Sequence, residues 1–406
     1  MKLTVRGESM ARRGATLLRG PQDPGRPTFL ELFFDLAFVF ALFRLSQGLL
    51  AHLNWSGAFQ TVVLLLALWW VWGQTAGVAD RFDAAQPAIQ ALVIGCMFGS
   101  FVLAVLTPKA FGPRGLAFAG AYVTIQIGRN LFLVVAARGD ERQHPELRFL
   151  FWHGVSALPW LAGALAHGWV RGVLWLLAVA ADYVPLRLGL PTPGLGRASL
   201  AELSISGEFL AERQRQFFII ALGELILASG LTFTSSGPGP AHQAAVVVAF
   251  ATTVLLWRIY IYRAGLVLGE AVAAANTRFH VAVSALYAHP VMVAGIVAVS
   301  VGDELVIGHP SGHSKPAWIA VVLGGPALFL AGRAMLEYVV FGRVSRDRVI
   351  GVLVLAAIAP AMILAPPLLV ALAAAVVLAG IAVSDTARAR RRPGEPPSPP
   401  SNRHSG

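Results

Sequence analysis

Long apolar runs fill this chain, separated at fairly even intervals by short polar or turn-forming breaks. A membrane-crossing helix needs roughly 20 mainly apolar residues. Runs of about that length occupy 29–50, 58–77, 87–107, 115–137, 147–166, 170–187, 210–232, 243–263, 280–301, 317–341, 348–364 and 367–384. The separators are turn formers, among them Thr107-Pro108, Gly112-Pro113, Pro191-Thr192-Pro193-Gly194 and Gly237-Pro238-Gly239-Pro240. Pro366-Pro367 leaves almost no loop, so the last two runs form either one broken helix or a tight hairpin. The pattern predicts an all-α, polytopic transmembrane helical bundle of about 12 spans.

Composition strengthens that reading. Of the 406 residues, 56% are hydrophobic and 13% charged, against about 25% charged in ordinary soluble domains. So little charge cannot cover a water-soluble surface of this size, whereas a lipid bilayer solvates an apolar one. The formal net charge of +11 would suit a nucleic-acid binder, but the basic residues punctuate the apolar runs and form no patch, so no nucleic-acid partner is expected. The single cysteine, Cys96, sits in an apolar run and excludes an intramolecular disulfide or a Cys-based metal cluster. The first 26 residues hold no apolar core of the signal-peptide kind.

Charge also sets orientation. With the N-terminus inside, Lys109, Arg114, Arg171 and Lys315 fall in outer loops and Arg44, Arg129 and Arg333 within spans. The rest of the 32 Lys and Arg residues gather on the cytoplasmic side. Both termini are therefore expected in the cytoplasm. The basic N-terminal tail, 1–26, and a disordered C-terminal tail, 386–406, would lie against anionic lipid. Trp69, Trp70 and Trp72 close the second run and Trp257, Tyr260 and Tyr262 the eighth, where aromatic rings anchor at the headgroup level.

The two halves, 27–200 and 201–385, echo each other. Glu31 to Asp35 opens the first run and Glu212 to Glu224 the seventh, each leading to a Gly-Leu pair, Gly48-Leu49 and Gly230-Leu231. Gly128-Arg129 lies deep in the fourth run and Gly332-Arg333 deep in the tenth. Six spans per half insert with the same orientation, which predicts two parallel six-helix repeats.

Leu30-Glu31-Leu32-Phe33-Phe34-Asp35-Leu36-Ala37-Phe38-Val39-Phe40 resembles a hallmark of the bacterial low temperature requirement protein A family. Phe209-Leu210-Ala211-Glu212-Arg213, followed by Phe218-Ile219-Ile220-Ala221-Leu222-Gly223-Glu224, is similar to the family's second motif, and Asp182-Tyr183 fits it too. Where relatives tend to carry a His before the second motif, this chain has Glu208-Phe209. The resemblance covers most of 27–385 and implies a multi-span protein of the bacterial plasma membrane, without fixing an activity or a catalytic residue.

Ionisable groups within spans are costly and mark candidate sites. Glu31 and Asp35 are four residues apart, on one helix face, and could share a proton or bind a cation. Glu224 lies about 18 Å along its helix from Glu212 and so near the midplane. Arg129 and Arg333 are the natural counter-ions of Asp35 and Glu224, within a repeat or across the two halves. An inner-loop arginine is the alternative for Asp35, and a pairing of Arg333 with Glu337 along its own helix is the competing one. Glu208, Glu212 and Arg213 sit at the cytoplasmic mouth of the seventh run, where Arg213 could equally be a positive-inside anchor. His153 and His289 are candidate proton relays or hydrogen-bonded structural groups. His309 and His313 join Asp303 and Glu304 in a polar outer-loop cluster, with no metal geometry expected of so flexible a loop.

Zinc, nucleophile-elbow and Walker motifs are absent, and no cofactor is expected. These features point to a secondary transporter or ion-conducting protein for a small solute or ion. The competing readings are a membrane-embedded enzyme acting on lipid-linked substrates and a structural or stress-response membrane protein.

Overall fold

The computed structural model of the protein describes residues 29–141, 143–198, 206–237, 239–262, 264–275 and 278–391. The basic N-terminal tail, 1–26, lies outside the described residues, as does the C-terminal tail beyond 391. Residues 386–391, assigned to that tail by sequence, instead complete the last helix.

The helices are α1 (Phe29–Ala51), α2 (Trp55–Arg81), α3 (Pro87–Leu106), α4 (Gly115–Ala136), α5 (Gln143–Leu165), α6 (Gly168–Arg187) and α7 (Gly207–Ser235). They continue with α8 (Pro240–Ile261), α9 (Ala264–Ala274), α10 (Arg278–Gly308), α11 (Pro316–Phe341), α12 (Arg346–Ile358) and α13 (Pro367–Arg391). Prolines start several of them: Pro87, Pro240 and Pro316 occupy first-turn positions, where the missing N–H breaks no helical hydrogen bond. Gly342 stops α11 in the left-handed conformation, at φ 61°, which glycine adopts without steric cost.

Nine of the helices among the described residues are long and apolar enough to cross a membrane: α2 to α4, α6 to α8, α10, α11 and α13. The eleventh run departs from expectation. It folds as α12, only 13 residues and about 20 Å long at 1.5 Å per residue, followed by a 3-10 turn at Ala361–Leu364. Pro366-Pro367 thus separates two elements that pack on each other, which settles the question in favour of a turn.

The chain packs as two units. One comprises Met1–Ala41 and Val62–Arg213, the other Leu42–Thr61 and Gln214–Gly406. Helices α1, α2 and α7 therefore each contribute residues to both units.

In the first unit α5 packs against α4 and α6 around Trp160 and Trp175, both fully buried, with Phe118 and Tyr122 against Trp160. Trp69, Trp70 and Trp72 are 1–2% exposed. They belong to this core and are not headgroup anchors: three indoles on successive faces of α2 bury more apolar area inside the unit than an interface would give them. Two arginines tie down loop ends. Arg148 donates to the carbonyls of Leu195 and Gly196, and Arg171 to those of Gly163, Ala166, Ala110 and Gly112.

In the second unit the most extensive packing is α10 on α11. Backbones meet there through glycines. A Cβ on Gly295 would lie 2.5 Å from the Phe329 nitrogen, and one on Gly332 would lie 2.7 Å from the Met292 nitrogen. Small residues of this kind let helices approach closely when apolar burial gives no drive for association in lipid. In the same unit Tyr260 and Tyr262 are buried and Trp257 is 42% exposed, so only the last suits an interfacial anchor.

Replacing Gly332 by Val should destabilise the protein by about 1–3 kcal/mol, because the added atoms meet backbone that cannot move aside. Gly120→Ala, with nothing within 4 Å of its Cβ, should leave thermal unfolding in detergent within about 0.5 kcal/mol of the parent. Equal melting curves for the parent and Gly332→Val would show that α10 and α11 do not pack this closely.

Candidate functional site

Within the first unit, Asp35 and Arg213 form a bidentate ion pair. Arg213 Nη1 donates to Asp35 Oδ2 at 2.9 Å and Nη2 to Oδ1 at 2.7 Å, while Trp72 Nε1 adds a 2.8 Å bond to Oδ1. Asp35 is 0% and Arg213 1% exposed, and the guanidinium lies 5.7 Å from the Trp72 ring centroid. Both carboxylate oxygens are occupied. Asp35 thus meets Arg213 of the second family-like motif, an inner-loop arginine of the kind left open for it by sequence, and not Arg129. An anchoring role for Arg213 at the membrane surface is likewise excluded by its burial. Glu31 is buried one turn before Asp35, Glu212 is half-buried beside Arg213, and Glu208 is exposed.

Arg129 is 2% exposed and sits in a polar network of neutral side chains. It donates to Thr75 Oγ1 at 3.3 Å, to Asn130 Oδ1 at 3.2 Å and to Gln126 Oε1. Asn130 Nδ2 reaches Glu146 Oε2 at 3.2 Å, and Glu146 is paired with Arg81 at 3.0 Å. On the other side Gln126 donates to the Tyr122 hydroxyl, which donates to Asp182 Oδ2 at 2.7 Å. His153 is locked in this network. Trp70 Nε1, a donor only, bonds His153 Nε2 at 3.0 Å, so Nδ1 carries the hydrogen and donates to Asn130 Oδ1 at 3.1 Å. A second ring proton would have to displace the Trp70 bond, which favours the structural reading of His153.

Within the second unit, Arg333 donates from Nε to the Ile259 carbonyl at 3.1 Å and from Nη2 to that of Tyr262, and lies 3.6 Å from Glu337. The pairing with Glu337 holds, then, and Glu224 is not its partner. His289 bonds the Ala285 carbonyl through Nδ1 at 2.8 Å and the Tyr260 hydroxyl through Nε2 at 3.1 Å.

Unlike Glu337 and Asp385 of that unit, Glu224 forms no ion pair with an arginine among the described residues. It is 0% exposed, and its Oε1 accepts from Ser46 Oγ at 2.7 Å and Ser300 Oγ at 2.8 Å. Its Oε2 is buried with no hydrogen-bond partner, and so is Oδ2 of Asp303. Asp303 and Glu304 follow Ser300 by three and four residues on α10 and so share the helix face that meets Glu224. Glu304 is half-buried and accepts from Gln47 Nε2 at 2.9 Å on each oxygen. Among the described residues, no Lys or Arg pairs with any of the three carboxyls. Asp303 and Glu304 lie inside α10, which runs on to Gly308, so the sequence-based outer-loop cluster with His309 and His313 is corrected. No group of three His, Cys, Asp or Glu among the described residues has metal-site geometry.

Sequence reasoning picked out Glu224 but missed Ser46 and Ser300 and placed Asp303 in an outer loop. Serines are common in apolar runs and carry no charge signal; the apolar stretch continuing past Ser300 to Gly308 was the available clue for Asp303.

Substituting Asp35 or Arg213 by Ala leaves the other charge buried and alone, which should cost about 3–5 kcal/mol. The double substitution should cost less than the sum of the two. Thermal unfolding of the four proteins in detergent checks this, and strict additivity would exclude the pair as a stabilising contact.

The family model described as "Bacterial low temperature requirement A protein (LtrA)" matches residues 26–383. An uncharacterized protein of Rhizobium meliloti (strain 1021), RA0937, is 35% identical over 323 residues, covering 78% of this chain and 78% of that protein. No solved structure matches.

Proposed function

The chain belongs to the bacterial low temperature requirement A family, and from that premise we propose that it is a secondary transporter or ion-conducting protein in which Glu224 and Asp303 carry a proton. One observation supports this above the others: a fully buried carboxyl held by two serine hydroxyls, with an unpartnered oxygen of its own and another on Asp303. An anionic carboxylate costs several kcal/mol in such surroundings unless a cation or proton accompanies it. Asp35 and Glu146 of the first unit already have their cation in Arg213 and Arg81, and Asp182 has the Tyr122 hydroxyl and the Trp160 indole there as donors. Glu224 and Asp303 form a carboxyl group of two with no cation among the described residues. Glu304, half-buried near the C-terminal end of α10, is the group through which protons reach Asp303 and then Glu224.

The bilayer placement follows the same energetics. We place α1 and α5 among the spans with the nine strongly apolar helices. Their charged residues Asp35, Glu146 and Arg148 are buried and bonded inside the protein, so these charges lower hydropathy without facing lipid. The Lys and Arg distribution favours the plasma membrane with both termini cytoplasmic. Matching buried arginines, Arg129 in α4 and Arg333 in α11, favour two duplicated six-helix halves.

Reconstituted into proteoliposomes under an imposed potential, the protein should carry a pH-dependent proton flux reported by an internal dye. Glu224→Gln, which keeps the volume and the serine hydrogen bonds, should reduce that flux to the level of protein-free vesicles while leaving the melting temperature near the parent's. Undiminished flux in Glu224→Gln rejects the proposal.

A further inference from the structure

The second unit holds a cavity of about 750 Å³ between the end of α11, the start of α12 and the end of α13. That volume falls within the range of ordinary ligand sites, about 300–1,000 Å³. Its polar lining includes Glu337, Arg343, Ser345, Arg346, Asp347 and Arg388.

Its charges are unevenly committed. Glu337 is satisfied from within, by Arg348 at 3.2 Å, by Arg333 and by the Ser345 backbone N–H at 3.0 Å. Asp347 accepts from Arg388 and from Ser384 Oγ at 2.8 Å. Beneath them Arg348 also holds Asp385 at 2.6 Å, yet its Nη1 is buried without a hydrogen-bond partner. Among the described residues, the guanidinium groups of Arg333, Arg346, Arg348 and Arg388 thus stand against the carboxylates of Glu337, Asp347 and Asp385, and Arg343 adds a further guanidinium to the wall. Arg346, an exposed side chain of the cavity wall, has no ion pair among the described residues.

The backbone adds to this surplus. The 13-residue helix α12 opens at the cavity, and its N-cap Ser345 makes no capping side-chain bond. First-turn N–H groups and the positive end of the helix dipole are therefore turned to the same space. Apolar surface lies alongside, with Val344 39%, Val349 50% and Ile350 54% exposed. The membrane-crossing stretches of α11 and α13 end at Phe341 and Arg388, at this same cavity.

We propose that this cavity binds a phosphate-bearing anion, held by Arg346 and Arg343 and by the N-terminus of α12. In the membrane that anion is the headgroup of an anionic phospholipid, whose chains lie along Val349 and Ile350. The Arg surplus supplies charge and forked hydrogen bonds to phosphate. The position where two spans end supplies the depth of a headgroup, and the exposed valine and isoleucine supply the contact for acyl chains. The site stands apart from the proposed proton carriers, so Glu224→Gln should bind as the parent does.

The test compares the parent, Arg346→Gln and Arg343→Gln/Arg346→Gln in nanodiscs of phosphatidylcholine alone and with added phosphatidylglycerol, and in detergent with inorganic phosphate. Native mass spectrometry of retained lipid and thermal unfolding are both read. Phosphatidylglycerol should be retained by the parent and raise its melting temperature. Retention should fall about tenfold in Arg346→Gln, the loss expected for one charge-assisted phosphate contact, and further in the double variant. Should inorganic phosphate alone match the stabilisation by phosphatidylglycerol, and both effects depend on Arg346, the anion site stands and its ligand is free phosphate. Should the double variant unfold, Arg346→Gln decides alone, since that side chain is exposed. Retention and stabilisation unchanged in Arg346→Gln would overturn the proposal, leaving only diffuse attraction of anionic lipid.

Discussion

A polar group carried on an apolar helix must find its partner inside the protein, because hydrocarbon offers none. Within each unit that constraint decides which side chains meet. In the first, Asp35 takes both hydrogen-bonding edges of Arg213 together with the Trp72 indole, and Glu146 takes Arg81 and Asn130. Arg129 is satisfied by neutral oxygens alone. The neighbouring Trp and Tyr side chains seal these bonds from water, and their own N–H and O–H groups join the network, as buried aromatic polar groups require. Such polar contacts are directional, so they select particular helix pairings where apolar burial alone would not.

The second unit satisfies most of its charges in the same manner, through Arg333, Arg348, Glu337 and Asp385. It departs from the rule at Glu224 and Asp303, where carboxyl oxygens are buried with neither hydrogen-bond donor nor cation. Elsewhere in the unit an acid close to an arginine is neutralised where it stands and has no reason to exchange a proton. At Glu224 and Asp303 neutralisation falls to a bound proton or cation, and under the proposed function it is a proton that exchanges. This contrast within one unit, more than the presence of membrane acids as such, singles these residues out.

Much of the architecture was legible in the chain because it follows from one-dimensional quantities. Apolar run length and turn formers located every long helix, and the missing α9 is an 11-residue apolar segment that merges with its neighbours in any running average. The failure at 348–364 has the same origin: hydropathy continues through Pro360, whereas the backbone does not. Partner choice was far less legible. Charge and depth favour Arg129 and Arg333 as counter-ions, yet neither pairs with Asp35 or Glu224 among the described residues, since depth along separate helices says nothing of which faces meet. The inner-loop arginine left open for Asp35 is the partner found. Arg213 had the better signal in its own motif, where an arginine inside a Phe-rich stretch is costly unless paired. Trp69, Trp70 and Trp72 misled because the compositional signature of an interfacial girdle and that of a buried aromatic core are identical until burial is known.

Whether Glu224 binds a proton is answered most directly by infrared spectroscopy of the carboxyl C=O stretch, followed through a pH titration in lipid for the parent and for Glu224→Gln. A band characteristic of a carboxyl group in apolar surroundings should rise and fall with pH in the parent and be missing from the variant. Superimposable spectra from the two proteins at every pH would contradict a proton-carrying Glu224.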